Sequence, residues 1–429
     1  MLTIMVIGLL VILLLTGLPL VFAMGTASIA YLLLADISLS MMTQRMTTAV
    51  DSFLILAIPF FYLAGELMNA CKLTDKIVAM ARAFVGHIHG GLAQVNIFAS
   101  MIFAGMSGSA TADTAALGSV LIPAMKKEGY PANFSAAVTV ASAMVGPIIP
   151  PSIGMVIYGA LADVSIGRLL LAGILPGITI IVVQMIFTWF LARRRGYPRY
   201  PRASMPELAR ATWHGSPALL FPVIIVGGIL SGVFTPTEAA AAAILYGLVL
   251  GLVVYRNVGL AELWATLMKV SWGSIRVLII IAVASSFSWI MIREQVPQNI
   301  ASFLAAFTDN PHVILAVMVA LLFLVGLIMI ASSAEIVLTP ILVPVVVSFG
   351  IDPVHFGVLM LFVLIIGGGT PPVGVLLFIA QDIAEIPFSS MVRAMLPYYI
   401  PLFAAVFLIA AFPQLSLWIP DMVFGATLE

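Results

Sequence analysis

The chain has 429 residues, 62% of them hydrophobic and only 8% charged, with a mean hydropathy of +1.20. Soluble domains carry about 25% charged residues, so this composition excludes a soluble globular protein and defines a polytopic protein of the lipid bilayer. Net charge is zero, which implies no nucleic-acid partner, and the single Cys71 excludes an intrachain disulfide or a cysteine metal cluster.

A helix that crosses a bilayer needs about 20 apolar residues, fewer where it breaks. Such spans are predicted over 2–17, 18–35, 52–71, 130–162, 168–192, 217–233, 236–255, 272–292, 353–381 and 394–412. No basic segment precedes the first run, so it reads as a retained span and not as a cleaved leader. Residues 72–90 and 293–310 mix charged with apolar residues and are predicted to be helical arms near the membrane surface, with ordinary extramembrane loops as the alternative. Two further stretches, 92–125 and 313–347, have polar centres, GMSGSATAD and GLIMIASSAE. Each is too short for two full crossings and reads as a re-entrant hairpin. Such backbone is tolerated at membrane depth only inside protein or beside a watery cavity. Residues 193–216 hold Arg193, Arg194, Arg195, Arg199, Arg202 and Arg210 against Glu207 alone, which marks a cytoplasmic linker.

These elements repeat. Gly105 matches Gly326, Pro123 matches Pro344 and Pro150-Pro151 matches Pro371-Pro372, always at one step (326 − 105 = 221). The predicted fold is therefore all-α and polytopic, with two repeats, about ten spans and two re-entrant hairpins. Five crossings per half is an odd number, so the second half is inverted: the first hairpin opens from the cytoplasm and the second from the periplasm. The same counting puts Lys72, Lys76, Arg82, Lys126, Lys127, Arg256, Lys269 and Arg276 inside. Residues 1–71 and 217–292 are then scaffold helices. Residues 72–192 and 293–429 each supply an arm, a hairpin and transport-core helices.

Matched helix breakers in repeated apolar segments point to a transporter binding site. In GPIIPPS, residues 146–152, Pro147 withholds a donor from the carbonyl of Ala143, Pro150 from that of Gly146, and Pro151 from that of Pro147. In the second half Pro371 and Pro372 do the same to Gly367 and Gly368. A bound cation satisfies such carbonyls, because hard cations take oxygen ligands. One site would use Ser107 with the carbonyls of Gly146, Ile149 and Pro151. The other would use Gly326 with Gly367, Thr370 and Val373. Simple proline kinks are the alternative, though two matched kinks, each beside a polar hairpin, favour ions. After each tip a new half-helix begins, near Ala110 and near Ser332, and helix N-termini bind carboxylates. Ser107, Ser109, Thr111, Ser332 and Ser333 add hydroxyls, so an anionic substrate fits between the tips. Asp113 and Glu335 read as helix-start acids, with Ser332 and Glu335 forming a capping box. Thr235, Pro236 and Glu238 read as a structural cap of the same kind. There is no phosphate-binding loop for ATP, and the five histidines are scattered.

The stretches GMSGSATADTAALG, IPAMKKEGYPANFSAAVTVASAMVGPIIPPSI, FTPTEAAA, PILVPVVVSFGIDPVHFGV and TPPVGVLLF resemble the large membrane subunit of tripartite ATP-independent periplasmic (TRAP) transporters. The resemblance runs over essentially the whole chain. It implies an elevator-type, sodium-coupled importer of organic acids such as sialic acid, a C4-dicarboxylate or a sugar acid, with two or more coupled Na+ ions, in the bacterial inner membrane. It also implies two partners, a small membrane subunit on a separate chain and a periplasmic substrate-binding protein. The family's cation sites carry over to Ser107, Gly146, Ile149 and Pro151, and to Gly326, Gly367, Thr370 and Val373. This chain departs from many relatives at the second tip, where Leu327-Ile328-Met329 is apolar. The competing function is an ion channel, which would line its pore with a repeated polar stripe. A membrane enzyme would need clusters of His, Asp or Glu that the sequence lacks.

Overall fold

Hydrocarbon offers backbone polar groups no partner, and a helix satisfies them within its own segment. The computed structural model describes residues 2–425, and all regular structure among them is helical. The first half contains α1 (Leu2–Leu15), α2 (Leu20–Leu34), α3 (Ser40–Val50), α4 (Ala57–Ala70) and α5 (Thr74–Val85). It continues with α6 (Gly91–Ser107), α7 (Ala110–Lys127), α8 (Ala132–Ala143), α9 (Ile153–Ala162), α10 (Ile166–Ala172) and α11 (Ile174–Arg195). The second contains α12 (Met205–Leu230), α13 (Pro236–Leu248), α14 (Leu260–Arg293), α15 (Val296–Ala305) and α16 (Pro311–Gly326). It ends with α17 (Ala331–Ser348), α18 (Pro353–Gly368), α19 (Val375–Ala384), α20 (Phe388–Ala411) and α21 (Gln414–Phe424).

The step seen in the sequence recurs in the element boundaries. Helices α7 and α17 begin at Ala110 and Ala331 (331 − 110 = 221) and end at Lys127 and Ser348, while α8 and α18 begin at Ala132 and Pro353. Matched cis bonds join Pro150 to Pro151 and Pro371 to Pro372. The halves differ in one place. Asp51 and Ser52 stand where the second half has Trp272 and Gly273; the first half breaks there into α3 and α4, whereas α14 runs on for 34 residues. At 1.5 Å per residue α14 is about 51 Å long, well beyond a hydrocarbon core of about 30 Å.

Each pair α6–α7 and α16–α17 folds back on itself as a hairpin. Gly108 makes the first tip with φ +58°, and a Cβ there would stand 2.7 Å from the carbonyl oxygen of Pro151, so the tip backbone lies directly on the first break. The halves then interlock: α9 packs on α17, and α19 packs on α7. Lys126 Nζ, at the end of α7, donates to the Ala384 carbonyl at the end of α19 (3.1 Å). Tyr158 Oη, on α9, donates to the carbonyl of Pro353 at the start of α18 (2.7 Å). Each broken segment therefore starts at the base of its own hairpin, breaks at the tips and runs toward the base of the other hairpin. The two hairpin bases lie at opposite ends of the molecule.

Several boundaries differ from the sequence reading. The linker ends earlier than expected, because Ser204 and Glu207 form a capping box that starts α12 at Met205. The runs 130–162 and 353–381 are each split, as their prolines predict, with α8 stopping at Ala143 and α18 at Gly368. The tail expected beyond 412 forms α21, held by the guanidinium of Arg168 to the carboxylate of Asp421 and to the Gly425 carbonyl (2.7 Å); residues 426–429 of that tail lie outside the described residues. Among the described residues seven helices qualify as membrane spans by length and composition, and α17, expected as a hairpin arm, is one of them. Both expected arms are helices, α5 and α15. Arg82 on α5 pairs with Glu128 (3.1 Å) and stacks on the ring of Tyr200 (4.2 Å). Burial first, then the hydrogen bond to Glu128, push the Tyr200 phenol up to about 12, so it stays a donor and ties the linker to the hairpin base.

Candidate functional site

A cavity of about 520 Å³ lies between the two tips. Ala110, Ile153, Ala331 and Val375, the first residues of α7, α9, α17 and α19, all line it. A helix N-terminus has unpaired N–H groups and about half a positive charge, so four helix starts on one space favour negative charge there. Ser109 and Thr111 from the first tip and Ser332 from the second also line the space, with Ser109 Oγ and Thr111 Oγ1 2.9 Å apart. Ser107 and Ser333 do not. Ser107 is buried behind its tip, where Asp113 accepts its hydroxyl.

Tyr62 of α4 and Arg276 of α14 complete the lining. Arg276 is the one basic residue in the lining, and no acid among the described residues pairs with it. The nearby acid Glu66 is held by Lys269 at 2.7 Å. Sequence reasoning counted Arg276 among the cytoplasmic-side cations and missed this position. The available signal was spacing: Lys269, Gly273, Arg276 and Ile280 fall on one helical face.

The residues expected to hold cations lie where the tips meet the breaks. On the first side the Oδ2 of Asp113 has no partner, and a Cβ on Gly146 would stand 2.7 Å from it. Among the described residues no hydrogen bond reaches the carbonyls of Gly146, Ile149 or Pro151. The Ala143 carbonyl, expected to be orphaned, accepts from Gly146 N–H at 3.0 Å, and that of Pro147 accepts from Ser152 Oγ at 2.5 Å. Gly173 and Gly177 of the α10–α11 junction press on this break from behind; a Cβ on Gly177 would stand 2.4 Å from Ile149 Cγ1. On the second side Gly326 and Gly367 meet backbone to backbone, with a Cβ on Gly367 only 2.7 Å from Gly326 Cα. The carbonyls of Gly326, Thr370 and Val373 receive no hydrogen bond among the described residues. The Gly367 carbonyl departs from expectation, since it accepts from Thr370 N–H at 2.9 Å. The residues present thus offer oxygen donors suited to a hard monovalent cation on both sides.

Only one of the two acids read as helix-start residues stands in a first turn. Helix α17 starts after Ile330 with no side-chain cap, so the capping box of Ser332 and Glu335 does not form. Glu335 instead reaches the cavity wall. Asp113 is in the first turn of α7 but wholly buried, with its carboxylate on Ser107 and against Gly146. The Thr235–Glu238 capping box with Pro236 forms as expected.

Two hairpins interlocked with two broken helices make the fold of a membrane transporter. It is shared with the YdaH transporter of Alcanivorax borkumensis (TM-score 0.67, 17% identity, 88% of each chain). It is also shared with the MtrF pump of Neisseria gonorrhoeae (TM-score 0.62, 15% identity, 91% of this chain and 85% of that one). The chain belongs to the tripartite ATP-independent periplasmic transporter family, DctM component, which matches residues 7–415. It is 41% identical over 414 residues to the sialic acid TRAP transporter large permease protein SiaM of Vibrio cholerae (96% of this chain, 97% of the relative). It is 38% identical to the 2,3-diketo-L-gulonate large permease protein YiaN of Escherichia coli (93% and 94% covered). It is 36% identical to the C4-dicarboxylate large permease protein DctM of Pseudomonas aeruginosa (92% and 93% covered). It is thus a multi-pass membrane subunit of a substrate transporter.

Proposed function

We propose that the chain is the large subunit of a sodium-coupled importer of organic acids in the bacterial inner membrane. Its partners would be a small membrane subunit on a separate chain and a periplasmic binding protein that delivers the substrate. The observation that carries this reading is the cavity on which four helix N-termini and the unpaired Arg276 converge. An organic acid would sit there with its carboxylate toward the first tip. Sodium ions would occupy the two clusters behind the tips, one around Ser107, Asp113, Gly146, Ile149 and Pro151, the other around Gly326, Gly367, Thr370 and Val373. Because tips and breaks share these oxygens, an empty cation site leaves the tips unanchored, which couples ion to substrate. The interlocked hairpins and broken helices would slide as one body against the frame of α1–α4 and α12–α14, with the two hairpins gating opposite sides. The relatives' names span sialic acid, 2,3-diketo-L-gulonate and C4-dicarboxylate, all of them acids.

The test is uptake of labelled organic acids by proteoliposomes containing both membrane subunits, with the loaded binding protein outside. An inward sodium gradient should drive accumulation above the outside concentration. Flux that only equalises concentrations, gradient or not, would establish a channel instead.

A further inference from the structure

The polar groups that line the cavity belong to two different bodies in the sliding-core reading. Ser109, Thr111 and Ser332, with the starts of α7, α9, α17 and α19, belong to the core, whereas Tyr62 of α4 and Arg276 of α14 belong to the frame. Two glycines bring the frame this close. A Cβ on Gly65 of α4 would stand 3.2 Å from the Ser107 carbonyl oxygen, so α4 lies against the backbone of the first tip. A Cβ on Gly273 of α14 would stand 2.7 Å from Tyr62 Cζ and 2.8 Å from its Oη, so the phenol is seated on bare α14 backbone. Tyr62 comes one turn before Gly65, and Arg276 one turn after Gly273 (65 − 62 = 276 − 273 = 3), so phenol and guanidinium sit on the helix faces that meet the first tip. Among the described residues the phenol has no hydrogen-bond partner and Arg276 no acid. Both can donate to a carboxylate.

These two donors do not travel with the acid. The helix starts, the tip hydroxyls and both cation clusters move with the core, and a slide of one helical turn, about 5.4 Å, already exceeds a hydrogen-bond reach of about 3 Å. A contact made in one position of the core and lost in the other is differential affinity, which is what lets a ligand shift a conformational equilibrium. We propose that Tyr62 and Arg276 are a fixed holding point on the frame: they bind the acid in the position of the core seen here and lose it when the core slides. Bound acid then favours this position, and leaving the holding point is a step of transport in its own right. Gly273 is a positioning residue, because it seats the phenol. The inference rests on the organic-acid and sliding-core reading above and goes beyond it in making affinity depend on the core's position.

The experiment follows the position of the core in the purified complex of large and small subunits in sodium. Gly167 of α10, on the core, is buried against Ile229 of α12, on the frame; a Cβ on Gly167 would stand 3.1 Å from Ile229 Cγ2. In a Cys71→Ser background, Gly167→Cys with Ile229→Cys should form a disulfide under copper phenanthroline only in this position. Gly167→Cys alone should label with a maleimide only when the core leaves it. The probes are sialic acid, gluconate and succinate, and the one that most stabilises the complex against heat is used. A tenfold preference for this position multiplies the ratio of the two positions by about ten, so whichever dominates beforehand, crosslinking rises or labelling falls by at least about threefold. Arg276→Gln should abolish most of that response even at acid concentrations that still saturate the tips, since a ligand with equal affinity for both positions shifts nothing. Gly273→Ala, which unseats Tyr62 and leaves Arg276 in place, should reduce the response and keeps the question answerable where Arg276→Gln does not fold. Bound acid that leaves both rates unchanged, or a response that survives both variants, overturns the inference and leaves the organic-acid reading standing. Complete crosslinking without loss of uptake overturns the sliding core and the inference with it. No binding of any probe, with no uptake of any acid in proteoliposomes, overturns both the inference and the organic-acid reading.

Discussion

Replacing Gly367 by alanine tests the second cation cluster at the point where break and hairpin touch. The added methyl would stand 2.7 Å from Gly326 Cα and carbonyl carbon and 2.9 Å from the Phe323 carbonyl oxygen, all of them backbone atoms that cannot rotate away. Carbon atoms rest at about 3.5–4.0 Å, so α16 and α18 have to part by roughly 1 Å. Overpacking of this kind costs about 1–3 kcal/mol. The displaced backbone carries the Gly326 carbonyl and leads into those of Thr370 and Val373. If the strain falls on the ion-bound state, apparent sodium affinity drops by about 5- to 150-fold, at 1.4 kcal/mol per factor of ten. The assay is the sodium activation curve of uptake in proteoliposomes, normalised to folded protein in the membrane. Gly368→Ala is the internal control: a Cβ there meets nothing within 4 Å, so its curve should match that of the native protein. Native sodium activation in Gly367→Ala, or an equal defect in Gly368→Ala, would refute the argument.

Thr370→Ala, which removes a hydroxyl that donates to the Ile366 carbonyl at 2.6 Å, should weaken sodium dependence more than substrate recognition in the same uptake assay. Arg276→Glu should lower acid binding to the membrane complex by at least about tenfold, because it replaces the cavity's one basic side chain with a like charge; unchanged binding would remove Arg276 from the site. Cysteines introduced near Lys126 and near Gly350 should label from opposite sides of the membrane, with little background because native Cys71 is buried; labelling from one side would contradict the inverted halves. The small subunit should crosslink to exposed frame residues such as Leu245 and Ile279. Efficient crosslinks from it to Ala331 or Ser332, with none to the frame, would overturn the division into frame and core.

The parts of the site that depend on backbone chemistry were readable in the sequence. Proline cannot donate, so GPIIPPS and TPP announce breaks, and the repeat pairs them with Gly105 and Gly326 on the hairpins. Ser109, Thr111 and Ser332 follow from the half-helix starts. The rest depends on contacts between distant segments. Arg276 resembles any interfacial cation until α14 is seen to run through 34 residues and present it beside Tyr62. Asp113 and Glu335 resemble helix-start acids, because a first-turn acid complements the helix dipole whether or not it is buried. The Gly367 carbonyl was read as open by the proline rule, yet a tight turn returns the Thr370 N–H to it. Gly173 and Gly177 carry no local signal at all; only the close approach of α11 to the first break explains them.

The substrate's carboxylate is expected in the space where α7, α9, α17 and α19 begin. The most direct measurement is an electron cryomicroscopy map of the complex of both membrane subunits with sodium and a saturating organic acid. Density for the acid is expected between Ser109, Thr111 and Ser332 with its carboxylate toward Arg276, and ion density within the clusters behind each tip. Acid density confined to another surface of the molecule, with this cavity empty, would contradict it.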